Sequence, residues 1–472
     1  MGDFRTLPIN SLEGRSDVSD FYRNSVVLIT GGSGFIGKVL IEKLLRCFEV
    51  RKIYLLMRKK GNDSVEDRMR KIFQEPIFNS VKQNHRNICA LFSKVIPIDT
   101  DFDQDQPVSE KDQQLLLPEV NIVFNVLASV KFNEQIESAL FTNVICSRTL
   151  FELASQMPNL KSIVHVSTFY SNCDRPCIEE VIHQDIPFGG YENILNIFEQ
   201  LNDSEKDQLT PMILRKMPNS YTFSKKCAEI MIQKKYNELP VAIFRPPVVL
   251  SAYREPIPGW IDNFNGVAGM CIPILRKKFY CARSLPGNPS HSVPVDFCVA
   301  AMIAVGAEIR KETELPGQSR SVPVYNYATD RNNVLWEEYS KLAASGLDTR
   351  VGRFLGQYTI INTNSSIFRQ IFVWLFLLQA LVADLISGFT GKKQRNLSLA
   401  KRVLALEEAA CYFGLNRWTV RNDNMRRVWE QMSDRDRKAL DFNIDRLDWR
   451  DYFKTYIGGV RDALTRRKLR KD

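Results

Sequence analysis

Short apolar runs alternate with longer segments of helical period from residue 25 onward. Each run is apolar at nearly every position, as in strands that are buried on both faces of a sheet. The segments between the runs, such as residues 39–47 and 135–156, are long enough for crossover helices. The pattern therefore predicts an α/β fold built on a doubly wound parallel sheet. The runs cover residues 25–29, 52–57, 95–98, 122–127, 162–167 and 241–245.

The chain changes character after residue 355. Residues 369–389 are its most apolar stretch, and the remainder is charged, helical in period and poor in strand signals. We therefore expect an N-terminal arm at 1–24, an α/β domain with substrate-binding insertions at 25–355 and a helical domain at 356–472.

Composition narrows the class of protein. With 44% hydrophobic and 25% charged residues, a mainly disordered chain is excluded. The net charge of +10 suits nucleic acid, an anionic membrane or a phosphorylated small molecule.

The ten cysteines show no Cys-x-x-Cys and no regular framework, and residues 1–23 lack the apolar run of a secretory signal, so a reducing compartment is expected. The four histidines are not spaced as metal ligands, and no metal site is expected.

A glycine-rich loop directly follows the first predicted strand. It reads Thr30-Gly31-Gly32-Ser33-Gly34-Phe35-Ile36-Gly37 and opens a helical run at 38–46. Glycines at this spacing allow a tight turn, a close approach of backbone N–H groups to a pyrophosphate and close packing of the helix on the strand. Because the strand and the helix are both in place, we assign all eight residues to dinucleotide binding.

The end of the second predicted strand indicates which dinucleotide is bound. An acidic residue there would bind the ribose 2′-hydroxyl of NAD, whereas arginine suits the 2′-phosphate of NADP. This chain has Arg58, followed by Lys59 and Lys60, which favours NADPH. The alternative is a solvated basic turn.

A tyrosine and a lysine lie four residues apart in the chain, at Tyr221 and Lys225, and so share one face of a helix. The Lys225 ammonium would favour the Tyr221 phenolate and hold the nicotinamide ribose. The fifth strand ends at Ser167 and Thr168, on the ligand-binding edge of such a sheet. Thr168, or alternatively Ser167, would bind a substrate carbonyl while Tyr221 protonates the alkoxide formed by hydride transfer.

At these residues the sequence resembles an extended short-chain dehydrogenase/reductase of Rossmann type, and more narrowly a eukaryotic, insect-type fatty acyl-CoA reductase. The resemblance runs from about residue 25 to residue 452. It rests on FIGKVL at 35–40, VKFNE at 130–134, HVST at 165–168, PNSYTFSK at 218–225, RPP at 245–247, EPIPGWIDN at 255–263, VPVD at 293–296, MSDRD at 432–436 and DWRDY at 448–452.

The resemblance implies reduction of a long-chain acyl-CoA by two NADPH, through an aldehyde, to the primary alcohol, with no acyl-enzyme on cysteine. It also implies that Asp101 meets the adenine and that Leu127 and Ala128 lie near the nicotinamide half. In the family the position of Asn143 supports the active-site lysine through water; the alternative is that Asn143 is a plain helix residue. Two positions depart from the family pattern: Thr100 stands where relatives have glycine, and Leu127 replaces a small residue.

The apolar stretch predicts a membrane partner. Residues 371–389 contain twelve Leu, Ile, Phe or Val residues against one charge, Asp384, and the basic residues Lys392, Lys393 and Arg395 follow. The alternative is an amphipathic or buried helix of the C-terminal domain. The expected location is a membrane with the catalytic domain facing the cytosol, the endoplasmic reticulum ahead of the peroxisome or lipid droplet. No nucleic-acid motif is present, so no such partner is expected.

Two other functions stay open from the sequence. One is another extended dehydrogenase, acting on a sterol or a nucleotide sugar, against which the sequence at 255–263 argues. The other is a membrane-tethered NADPH- or lipid-binding relative that has lost turnover because of Leu127.

Overall fold

The computed structural model describes most of the chain. The described residues are 17–84, 87–104, 106–132, 134–264, 266–276, 280–313, 321–347, 350, 353–354, 360–390 and 395–469. Most of the predicted N-terminal arm, one residue of the sequence at 130–134, and Lys392 and Lys393 lie outside them.

A seven-stranded parallel sheet forms the centre of the fold. Its order is β7-β6-β5-β4-β1-β2-β3, and every neighbouring pair is parallel. The six strands predicted from apolar runs are present, and the doubly wound α/β prediction is confirmed. The seventh, at the edge, was not predicted. The strands are β1 (Val26–Thr30), β2 (Lys52–Met57), β3 (Val95–Asp99), β4 (Ile122–Asn125), β5 (Ser162–Val166), β6 (Val241–Arg245) and β7 (Val324–Asn326).

Strand order reverses between β1 and β4. Strand β1 pairs with β2 on one side and with β4 on the other, so the connections leave the sheet in opposite directions from this point. Such a switch point opens a crevice at the carboxyl ends of the strands, where ligands of doubly wound folds bind.

Four helices carry the candidate site and the apolar stretch. They are α1 (Phe35–Cys47), α2 (Ser220–Lys235), α3 (Ser366–Phe389) and α4 (Asn396–Leu415). Further α-helices with both ends among the described residues are Asp17–Tyr22, Val65–Phe73, Asn79–Asn84, Ile88–Phe92, Glu110–Leu116, Ile136–Leu140, Cys146–Ala154, Tyr191–Phe198, Asp203–Leu214, Val267–Met270, Ile272–Arg276, Val295–Thr313, Trp336–Ser345, Asp423–Gln431, Asp434–Ala439 and Trp449–Leu469. Short strands are Cys177–Ile178, Val248–Leu250, Tyr280–Arg283, Ser292–Pro294, Ile360–Thr363 and Thr419–Val420.

The chain divides into two compact units. The first, Met1–Pro247 with Phe297–Ala328 and Val420–Phe442, holds the whole seven-stranded sheet. The second is built from Val248–Asp296, Thr329–Thr419 and Asn443–Asp472. Both units draw on discontinuous segments, whereas the predicted domains follow one another along the chain. The domain boundaries expected from the sequence stay a prediction.

Helix α3 belongs to the second unit and contains the apolar stretch. It has 24 residues and is long and apolar enough to cross a membrane, and only 11% of its most apolar 18-residue window is buried. Its exposed side chains include Trp374 and Phe389, which are 66% and 92% exposed.

Candidate active site

The glycine-rich loop lies at the carboxyl end of β1, and at Gly31 and Gly37 it has room for glycine only. Gly31 has φ +68°, and a Cβ there would lie 2.7 Å from the Val126 carbonyl oxygen; a Cβ at Gly37 would overlap the carbonyl of Gly31. The loop opens α1, whose N-cap Gly34 has no side-chain capping bond. The N-terminal end of α1 carries a partial positive charge from the helix dipole, which attracts an anion. These residues fit a dinucleotide pyrophosphate.

Thr30 connects the two strands that flank the crevice. Its hydroxyl donates to Asn125 Oδ1 at 2.8 Å and accepts from the Leu127 backbone N–H at 3.1 Å. Leu127, which is half-buried along with Ala128, is thus held beside the glycine-rich loop, and the expected position of both residues near the nicotinamide half stays a prediction. Asn125 also donates to Nδ1 of His165, whose pKa is held well below its ordinary value by burial and by Lys225. His165 is consequently a neutral strand residue.

Two arginines lie at the end of β2, although the sequence pointed to one. The side chain of Arg58 is exposed. The half-buried Arg68 guanidinium donates to the Arg58 carbonyl oxygen and, at 3.4 Å, to Ser33 Oγ of the glycine-rich loop. Arg68 was missed because it lies in helix Val65–Phe73, and its closeness to Ser33 depends on the fold. The sequence feature that could have pointed to Arg68 is a basic residue in the first helix after β2, close enough in the chain to reach a cofactor phosphate.

Asp101 makes its side-chain hydrogen bonds within a local turn. Its carboxylate accepts from Asp103 N at 3.2 Å and from Gln104 Nε2 at 3.3 Å, and its side chain is exposed. The neighbouring Thr100 is buried and its backbone N–H donates to the Met57 carbonyl at the end of β2. The structure thus puts Asp101 near the end of β2, and its contact with adenine stays a prediction.

Helix α2 brings together the tyrosine and lysine found in the sequence. Asn219 caps the helix by accepting from Thr222 N at 2.9 Å, which puts Tyr221 in the first turn. The Tyr221 phenol lies close enough to the Thr168 hydroxyl for that hydroxyl to lower the pKa of the phenol. One turn further on, the fully buried Lys225 donates through Nζ to the Val166 carbonyl oxygen at 2.6 Å, at the end of β5. The three predicted catalytic residues therefore form one cluster.

Burial sets the protonation states of this cluster. It raises the pKa of Tyr221 to about 12, against a smaller lowering by the hydrogen bond with Thr168. Burial lowers the pKa of Lys225 to about 8, and the negative charge of Glu229 partly opposes this shift. At neutral pH the phenol therefore keeps its proton and the ammonium keeps its charge.

A buried ion pair under the cluster was missed by the sequence reasoning. Glu229 and Arg245 are 1% and 0% exposed, and the guanidinium donates to the carboxylate through Nε at 2.9 Å and Nη2 at 2.6 Å. Glu229 also accepts hydrogen bonds from the hydroxyls of Ser167 and Ser171. Since Ser167 is engaged in this way, Thr168 is left as the hydroxyl that contacts Tyr221. Glu229 follows Lys225 by four residues, and this spacing could have indicated from the sequence that the two side chains share one face of the helix.

Asn143 holds the loop after β4 against α2. It lies in a π-helical turn, Phe141–Ile145, accepts from Ser129 N at 2.9 Å and donates to Ser224 Oγ at 2.9 Å. Ser224 immediately precedes Lys225, so Asn143 supports the lysine's helix through its neighbour. A role through water stays a prediction.

Comparisons with known proteins agree with this geometry. A model of the NAD-binding domain described as male sterility protein matches residues 29–302, and a Sterile domain model of the same description matches residues 375–467. The fatty acyl-CoA reductase wat of Drosophila melanogaster is 35% identical over 463 residues, 96% of this chain and 86% of that protein. Fatty acyl-CoA reductase 2 of Mus musculus is 30% identical over 461 residues, 96% of this chain and 87% of that protein.

Solved structures share the fold. The terminal R domain from the myxalamid biosynthetic pathway superposes with a TM-score of 0.60 at 19% identity, over 99% of this chain and 94% of that one. The reductase domain of a nonribosomal peptide synthetase from Mycobacterium tuberculosis gives 0.61 at 14% identity, over 97% and 98% of the two chains. The sequence matches show that this chain is an oxidoreductase that uses a nicotinamide cofactor. It belongs to the fatty acyl-CoA reductase family of the extended short-chain dehydrogenases/reductases.

Proposed function

We propose that this protein reduces a long-chain acyl-CoA through an aldehyde to the primary fatty alcohol, using two NADPH and releasing CoA. The similar proteins of Drosophila melanogaster and Mus musculus are fatty acyl-CoA reductases. The observation that carries the proposal is the buried Lys225 ammonium, held by the Val166 carbonyl oxygen one helical turn after Tyr221, with the Thr168 hydroxyl close to the Tyr221 phenol. A proton donor and a fixed cation thus lie at the carboxyl edge of the sheet.

Tyr221 and Thr168 would act on the carbonyl oxygen of the substrate. When bound, the nicotinamide cofactor supplies one hydride for each reduction. As the acyl carbon accepts the hydride, Tyr221 donates its proton to the developing alkoxide, and the Thr168 hydroxyl donates a hydrogen bond to the same oxygen. The Lys225 charge compensates the phenolate that remains.

The same residues serve both reductions. The first gives a hemithioacetal, whose collapse breaks the C–S bond, releases CoA as a thiolate that takes up a proton, and leaves the aldehyde. The phenolate of Tyr221 regains a proton when the hemithioacetal hydroxyl gives up its own on collapse, and the thiolate is protonated from solvent. The second hydride then converts the aldehyde to the alcohol, with Tyr221 again as proton donor. The engagement of Ser167 with Glu229 leaves Thr168 as the hydroxyl for both steps.

The choice of NADPH over NADH is proposed to rest on Arg58 and Arg68. Two guanidinium groups at the end of β2, one of them bonded to Ser33 of the glycine-rich loop, suit a 2′-phosphate. Replacing either with alanine should raise KM for NADPH about 10-fold or more and leave KM for NADH unchanged, because a hydrogen bond to a charged group contributes about 1.5–3 kcal/mol. Initial-rate kinetics with both cofactors measure this.

Arg70→Ala is the matched control. Arg70 lies in the same helix, is 71% exposed at its side chain and pairs only with Asp67 among the described residues. The assignment predicts no change in KM for this variant. An equal rise for Arg70→Ala would mean that the general field of the helix, and not a specific contact, attracts the cofactor.

Activity is predicted to fall as pH rises through about 8, where Lys225 loses its proton. Tyr221 keeps its proton there, because its pKa is raised to about 12. The unfolded chain binds a proton at Lys225 up to about pH 10, so the contribution of this group to the free energy of unfolding rises with pH over that range. The fall in activity is therefore not explained by unfolding at this residue.

A pH profile of kcat/KM tests this assignment. Lys225→Arg keeps a positive charge at all pH values used, so its profile, at whatever lower rate, should stay flat through pH 8. A fall at the same pH in that variant would assign the ionisation to another group.

We also propose that the protein associates with a membrane through α3, with the site facing the cytosol. The endoplasmic reticulum is the proposed location, ahead of the peroxisome or lipid droplet. Supporting this are the length and exposure of α3 and the lipid nature of a fatty acyl substrate and its alcohol product.

The reaction itself is tested by supplying purified protein with NADPH and acyl-CoAs of increasing chain length. Fatty alcohol, detected by mass spectrometry, with two NADPH oxidised per alcohol, is the expected result. Release of aldehyde alone would limit the enzyme to one reduction. Cofactor binding without any product would favour the non-catalytic alternative.

A further inference from the structure

The outer face of α3 is a continuous apolar surface. Large side chains that are at least 45% exposed recur at helical spacing along it, among them Ile367, Ile371, Trp374, Leu378, Leu381 and Leu385. At 1.5 Å per residue, the 24-residue helix is about 36 Å long. Its one acidic residue, Asp384, is buried on the other side, so nothing acidic interrupts this face.

The opposite face of α3 is packed on its own unit. Phe376, Ala380 and Asp384, spaced by four, are its buried residues. The ring of Phe376 lies 5.4 Å from that of Tyr280. Helix α4 runs antiparallel beside α3, since Arg369 near the start of α3 meets Glu407 late in α4.

Charged groups hold α3 to α4 at both ends. The Asp384 carboxylate accepts from Asn396 N at 2.8 Å, Asn396 Nδ2 at 2.9 Å and Leu397 N at 2.8 Å, and so caps α4. At the other end the Arg369 guanidinium donates to Glu407, 1% exposed, and to Glu408 at 3.1 Å. The single charge in the apolar stretch is therefore a structural cap.

A helix that spans a bilayer conflicts with these contacts. If α4 stayed beside a spanning α3, it would bring Lys401, Arg402, Glu407 and Glu408 into the hydrocarbon region. If the helices separated, Asp384 would enter the hydrocarbon without its donors and Glu407 would lose Arg369. A helix lying in the membrane plane keeps every one of these contacts and still covers its apolar face.

We infer that α3 lies in the plane of the membrane, with its outer face in one leaflet and both of its ends on the same side. This rests on the proposed membrane association of the protein. Exposed Arg395, Lys401 and Arg402 at the start of α4, and Lys392 and Lys393 before them in sequence, favour anionic phospholipid headgroups as the neighbour. The occupant of this face is therefore a lipid leaflet containing anionic phospholipid.

Trp374 is a native probe of depth. It is 66% exposed, whereas the other five tryptophans are buried or half-buried. The purified full-length chain is mixed with phosphatidylcholine–phosphatidylserine vesicles whose acyl chains carry bromine near the carbonyl end or near the methyl end. The Trp374→Phe variant supplies the emission of the other tryptophans for subtraction.

Stronger quenching by the shallow bromines is the result that supports an in-plane helix. A spanning helix would put Trp374 about 5 Å from the bilayer midplane, so stronger quenching by the deep bromines would overturn the inference and leave membrane association intact. Quenching by neither lipid would overturn both. In that case, a blue-shifted Trp374 emission and a dimer in sedimentation without vesicles would assign the face to a second copy of this chain.

Two matched variants test the face itself. Leu378→Glu should lower vesicle binding at least about 10-fold, because it puts a charge on the apolar face. Leu115→Glu, an exposed leucine on a helix of the first unit, should leave binding unchanged. Equal binding by wild type and Leu378→Glu would contradict the inference. Reductase activity in detergent is measured separately, so a failure of the proposed reaction is distinguished from a failure of membrane docking.

Discussion

Replacing Tyr221 with phenylalanine will lower kcat for acyl-CoA reduction by about 10²- to 10⁴-fold, the usual contribution of a positioned proton donor. The change removes only the hydroxyl. The Tyr221 ring packs 5.8 Å from that of Phe132, and phenylalanine keeps this contact. The KM values for NADPH and acyl-CoA should therefore stay within about twofold of wild type, which single-turnover and steady-state kinetics with acyl-CoA and with aldehyde would show.

Tyr236→Phe is the matched control for that variant. Tyr236 follows the last turn of the same helix, about 22 Å along its axis from Tyr221. It should have wild-type kcat. If Tyr221→Phe formed alcohol as fast as wild type, the proton would have to come from another group, and the proposed mechanism would be wrong.

Glu229→Gln is expected to destabilise the protein by about 3–5 kcal/mol, the cost of breaking a buried ion pair from one side. The amide leaves the Arg245 charge buried without its counter-ion. Arg245 also donates to the carbonyls of Glu179 and Val181 at 2.9 Å, so it cannot turn toward solvent without losing these contacts. Urea denaturation of the purified protein measures the free energy of unfolding.

A surface pair of the same chemistry gives the comparison. Glu192 and Lys235 pair at 2.6 Å, but their side chains are 50% and 44% exposed. Glu192→Gln should cost less than about 1 kcal/mol. The double variant Glu229→Gln with Arg245→Met should be more stable than Glu229→Gln alone, because it removes the unpaired charge. Equal losses for Glu192→Gln and Glu229→Gln would show that burial does not govern the pair.

The sheet was predictable because buried parallel strands leave an unmistakable apolar pattern. Residues 52–57 and 241–245 were assigned with the observed bounds. The edge strand β7 was not predicted, because a strand of three residues is too short to show a periodic pattern. Its pairing with β6 also joins residues about 80 positions apart in the chain. Short edge strands are defined by their partners more than by their own sequence.

In the candidate site, too, local features were predictable from the sequence and contacts between distant elements were not. Tyr221 and Lys225 were found because helical spacing is a local property. The contact of Arg68 with Ser33, and of Glu229 with Arg245, depends on how distant elements pack, and no local pattern contains it. Likewise, the sequence placed Thr168 ahead of Ser167 without a contact to separate them, and the Glu229 carboxylate that binds Ser167 supplies that contact.

The bridge from Thr30 to Asn125 and Leu127 bears on how the enzyme changes cofactors. In the proposed reaction, two hydrides per alcohol would require oxidised cofactor to leave and reduced cofactor to enter while the aldehyde stays in the site. These hydrogen bonds fix the distance between the ends of β1 and β4. The cofactor-binding crevice between them would therefore keep its shape when the first cofactor molecule leaves and the second one binds.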